Sequence, residues 1–189
     1  MTMSSLAPHL DDARALLGRL FDEVEGLPVS LWSEGHEAAG LASPGAHVRH
    51  LLDAYDNLLH GWGTARVDYD QRARDARTEQ DPRAALVRIA ALRERLLELR
   101  GSEDRPLRTR SDAPEGTADD DWWTTSTRGR ELNACLGHAI HHCALIGARL
   151  RLAGHAPAAD FGIAPSTLRH LARTEAASTP AEDRAPCAR

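Results

Sequence analysis

Four stretches of the chain repeat apolar side chains at three- and four-residue steps, the spacing that places them on one face of a helix. The first covers residues 6–26, with Leu6, Leu10, Ala13, Leu16, Leu17, Leu20 and Val24 in phase. Asp11 and Asp12 come early in that run, where they suit the helix dipole. Gly and Pro then break the periodicity over "EGLPVSLWSEGHEAAGLASPG", which reads as a loop. Ser43 followed by Pro44 is a cap with a first-turn proline, and opens a second helix through "GAHVRHLLDAYDNLLHGW".

The next stretch, "GTARVDYDQRARDARTEQDP", is polar and arginine-rich and reads as an exposed connection with room for some helix. Asp81-Pro82 opens a third helix whose stripe runs Leu86, Ile89, Leu92, Leu96 and Leu99. Beyond it, the alternating segments "PLRTR" and "WWTTST" flank Pro-Glu-Gly and predict a short β-hairpin. The fourth helix takes "RELNACLGHAIHHCALIGARLRLAG" and stops at Gly154. "HAPAADFGIAPSTLRHLART" reads as an ordered loop holding a short helix at most, and Ala, Ser, Thr, Pro and Arg dominate from about Glu175. The expected architecture is all-α: a four-helix bundle with long crossovers and a short hairpin between helices 3 and 4. It occupies residues 1–172, with a disordered tail over 173–189.

Composition narrows the function classes. With 189 residues the chain has room for one domain with a real core. A formal net charge of −5 carries no concentrated basic footprint of a nucleic-acid binder, although all 23 basic residues are arginine. Cys135, Cys143 and Cys187 are odd in number and lack CxxC spacing, so no disulfide framework is expected, and a reducing cytoplasm is the natural setting. The opening residues become charged before any long apolar run, which argues against a secretory signal, and no run approaches a membrane span.

The chemistry concentrates in "LGHAIHHCALIG", which places three histidines within five positions. On a helix, His138 and His142 stack on one face about 40° apart, while His141 points about 100° away from His142. An i,i+4 pair of imidazoles is a way for one helix to grip a transition metal. A third ligand must come from elsewhere. The second helix offers His47 and His50, with Asp53 three residues further on; His50, in the buried-looking stretch, is preferred. Glu131 and Cys135 lie near the His138/His142 face, and Glu131 is placed to orient a ring or accept a proton. Cys135 and Cys143 fit small core hydrophobes better than nucleophiles. His9, His36, His60, His155 and His170 read as surface residues, and Trp122 and Trp123 as core that lines a cavity.

"GAHVRHLLDAYDNLL", followed by the fourth-helix sequence and "FGIAPSTL", resembles the DinB/YfiT-like superfamily of metalloenzymes over about residues 6–170. The resemblance implies a four-helix bundle, often a homodimer, with a three-histidine metal centre falling on His50, His138 and His142. Where relatives often carry a further histidine shortly after the Asp, this chain has Ala54. Three imidazoles leave positions open on the ion, the pattern of a catalytic site, and suit Zn, Ni, Co, Fe or Cu. The implied chemistry is S-transfer or isomerisation dependent on a low-molecular-weight thiol such as mycothiol or bacillithiol. Arg49, Arg128 and Arg130 flank the ligand-bearing helices as candidates to bind that thiol. Asp53 and Glu131 are the candidate catalytic carboxylates. A non-catalytic metal-binding or stress-response protein of the same fold is the alternative.

Overall fold

The computed structural model describes residues 5–178, and among them the chain is mainly helical with a small three-stranded sheet. Four long helices fall where the periodicity predicts them: α1 (Ala7–Glu25), α3 (Pro44–Gly61), α5 (Pro82–Glu98) and α6 (Arg128–Leu152). Between the first two lies the short α2 (Val29–Ser33), and before α5 the short α4 (Ala76–Gln80). Helix α7 (Pro165–Ser178) ends the described chain. Among the long helices, α1 and α3 each pack mainly against α5 and α6. The faces turned inward are those the sequence marks. Leu6, Leu10, Ala13, Leu16, Leu17, Leu20 and Val24 are all buried, as are Ile89, Leu92 and Leu96, while Leu86 and Leu99 are half-buried against the same core.

Local chemistry sets the helix boundaries. The Ser43 hydroxyl accepts from the Ala46 N–H at 3.1 Å, and Asp81 and Thr127 cap α5 and α6 in the same way. Past α6, Gly154 takes a φ of +79°, which lets the His155 N–H fold back onto the Leu150 carbonyl at 3.0 Å. No helix among the described residues is long and apolar enough to cross a membrane.

The polar segments depart most from expectation. The expected hairpin exists as β2 (Pro106–Arg110) antiparallel to β3 (Thr124–Thr127), but β1 (Arg66–Asp68) joins β2 in parallel, so the sheet has three strands. β1 lies inside the stretch read as an exposed connection; the buried Val67 anchors it while its neighbours Arg66 and Asp68 face outward. The loop after α1 contains α2, which buries Trp32 completely. Trp32 and α4 close over the start of α3 at Gly45, where a Cβ would stand 2.0 Å from the Glu79 carbonyl and 2.7 Å from Trp32 Nε1. Only glycine permits that approach. Downstream, the segment expected to be a loop with a short helix carries the 14-residue α7, reaching Ser178 and so entering the expected tail. Residues 179–189 of that tail, Cys187 included, lie outside the described residues.

Candidate metal centre

α3 and α6 pack together, and their contact brings the histidines to one place. Ligand-capable atoms of His50, His138 and His142 all lie within 4.8 Å of one another. The His138 and His142 Nε2 atoms are 2.9 Å apart, one turn along the same helix face. The His50 ring stands 4.8 Å from each of them, nearly perpendicular to both. His141 is exposed, its ring edge-on to that of His142 at 5.4 Å, and it stands outside the group of three.

Burial sets the protonation state of these rings. Desolvation, reinforced by the neighbouring imidazoles, pushes His142 down to about 3 and His138 down to about 4. Desolvation also lowers His50 and His47. The rings are therefore neutral near pH 7, the form that ligates a metal. Two nitrogens 2.9 Å apart both reach a single ion at about 2.0–2.1 Å. The donor set fits a divalent transition metal.

His47, from the same helix as His50, also reaches the cluster. Its Nδ1 lies 2.9 Å from His142 Nδ1, so His47 engages the nitrogen of His142 that faces away from His138. That contact fixes the ring's orientation, and it leaves His142 Nε2 pointed at the cluster.

A cavity of about 560 Å³ opens over His50 and His138, walled by Tyr69, Arg72, Glu131 and Cys135. Glu131 is 3% exposed and fully engaged: Ser126 Oγ and Arg130 Nη1 donate to one oxygen at 2.5 and 2.6 Å, and Tyr69 Oη donates to the other at 2.9 Å. Tyr69 Oη also lies 3.7 Å from Cys135 Sγ. Burial pushes the Tyr69 hydroxyl far above its ordinary range and the Cys135 thiol up to about 12. Both stay protonated near pH 7.

The remaining predicted residues are dispersed. Arg130 lines the histidine cavity, with its charge paired to Glu131. Asp53 is buried and turns toward a separate cleft of about 820 Å³, where Arg88 Nη2 donates to it at 2.6 Å. Arg49 pairs with Glu79 at 2.8 Å, and Arg128 lies over the Trp62 ring while donating to the Trp62 carbonyl. None of these three reaches the histidine cavity. Trp122 is exposed rather than core, and Trp123 lines the larger cleft beneath Arg66 and Arg110.

Two residues of the centre went unread in the sequence. Tyr69 follows Val67 by two positions, a period-two alternation submerged among Arg and Asp. Arg72 carries no sequence signal at all among the neighbouring arginines.

No protein-family model and no solved structure matches the chain. Among curated proteins it is similar to FK506-binding protein 5 of Rhizopus delemar, 37% identical over 106 residues. The match covers 56% of this chain, and the chain spans 27% of that protein's length.

Proposed function

We propose that the chain is a four-helix bundle of the DinB/YfiT-like kind and a metal-dependent enzyme acting with a low-molecular-weight thiol, as an S-transferase or isomerase. One observation carries this reading: three neutral imidazoles converge from two helices beside a cavity large enough for a small molecule. A structural site would be closed by a fourth protein ligand, and here the fourth side is the cavity. His50, His138 and His142 would hold the ion, with His47 orienting His142. When bound, the ion supplies Lewis acidity, which deprotonates a coordinated thiol or water at neutral pH.

The chain's own groups shape the rest. Glu131, with three donors on its two oxygens, is an anchor. It holds Tyr69 against the cavity wall as a positioning residue. The hydroxyls of Thr109, Ser111 and Thr124 give the cavity lining hydrogen-bonding capacity.

The test is elemental analysis of protein purified without chelator or nickel resin, beside a His138→Ala/His142→Ala variant. About one equivalent of Zn, Ni, Co or Fe is expected in the parent and little in the variant. A parent that is empty and takes up none of these on reconstitution would remove the reading. Turnover of a thiol with an electrophile then separates the enzyme from a protein that merely stores metal.

A further inference from the structure

Six arginines line the two cavities, and five of them already have a carboxylate. Arg88 and Arg95 share Asp56, and Arg88 also holds Asp53. Arg110 pairs with Asp68, Arg66 with Asp120 and Arg130 with Glu131. Four of the five arginines of the larger cleft are thus held by carboxylates. Arg72, which borders both cavities, has no ion-pair partner among the described residues. Its Nε donates to the Tyr69 carbonyl at 3.2 Å, and its Nη1 lies 3.4 Å from His50 Nδ1.

That second contact cannot coexist with coordination by His50. A neutral imidazole has one ring lone pair and one N–H. If Nδ1 binds the ion, its lone pair is spent and Arg72 loses its acceptor. If Nε2 binds the ion, the proton sits on Nδ1 and faces the guanidinium as donor against donor. In either case loading the centre releases Nη1 into the cavity and adds positive charge beside it. A half-buried guanidinium without a counterion is then costly until an anion arrives.

We propose that Arg72 is the anion-recognising residue of this cavity, pairing with a carboxylate on the small molecule that enters. The inference rests on the metal-centre reading above. The ligand it predicts carries a carboxylate within a few bonds of its metal-ligating atom, because Arg72 lies directly beside His50.

Cobalt-loaded protein, titrated with mercaptoacetate and separately with neutral 2-mercaptoethanol, tests it through the thiolate-to-cobalt absorption. The parent should prefer mercaptoacetate by about tenfold or more, the scale of one charge-assisted hydrogen bond. Arg72→Gln should bring the two thiols to near parity while cobalt uptake stays intact. Arg72→Lys, which keeps the charge and loses the fork, should fall between. Arg95→Gln removes the same charge from the other cleft and should keep the preference. Cobalt uptake with no anion preference in the parent, or a preference that survives Arg72→Gln, overturns the inference and leaves the metal centre standing. No cobalt uptake by the parent overturns both.

Discussion

At the scale of single residues, the surroundings of a side chain decide its chemistry more than its identity does. His138, His141 and His142 are the same residue within five positions, yet one is exposed and two are held neutral by burial. Cys135 and Cys143 show the same effect in the other direction. Burial pushes both thiols up to about 12, from an ordinary 9.0. The thiolate is the reactive form, so at pH 8 its population drops about a thousandfold relative to an unperturbed thiol. In a Cys187→Ser background, native protein at pH 8 should react with a disulfide reagent only after denaturant is added. Rapid reaction of the native protein at either position would contradict this burial. The cysteines are therefore core residues, as the sequence suggested, although Cys135 also forms part of the cavity wall.

At the scale of elements, short irregular pieces place the site that the long helices carry. β1 leads into Tyr69 and Arg72, and its parallel pairing with β2 holds both over the histidines. α4 is pinned to the start of α3 through Gly45 and the Arg49–Glu79 pair, and its own N-cap Asp75 accepts from the Thr78 hydroxyl at 2.6 Å. Gly45→Ala should cost at least about 2 kcal/mol, because the new methyl group meets backbone and an indole that cannot step aside. Urea unfolding measures the loss, and an unchanged midpoint would mean that α4 is free to move. The loop periodicity hid these elements: strands of three residues and helices of five are too short for a period to repeat.

At the scale of the whole molecule, the packing of α1, α3, α5 and α6 buries a continuous apolar core, and the buried carboxylates Asp53 and Glu131 are each paired with an arginine, while the buried Arg149 donates to the Glu34 carbonyl. Asp53, 1% exposed, is compensated from α5 by Arg88 and more distantly by Arg49 at 3.7 Å. Arg88→Ala should destabilise the fold by about 3–5 kcal/mol, since it leaves a buried carboxylate short of its partner. Asp53→Asn/Arg88→Ala should recover part of that loss in the same denaturation measurement. That ion pair is also why Asp53, which sequence spacing offered to the metal centre, serves the α3–α5 junction instead. By itself the sequence determined the four long helices, the caps at Ser43 and Asp81, the inward faces and the convergence of His138 with His142, because each depends on neighbours within a turn or two. The tertiary structure alone decided that His47 also meets the His50, His138 and His142 group, that Asp53 and Arg49 turn away, and that Arg72 stands beside His50. Those outcomes depend on the rotation and register of α3 against α6 and on where a three-residue strand docks, and no local spacing encodes either.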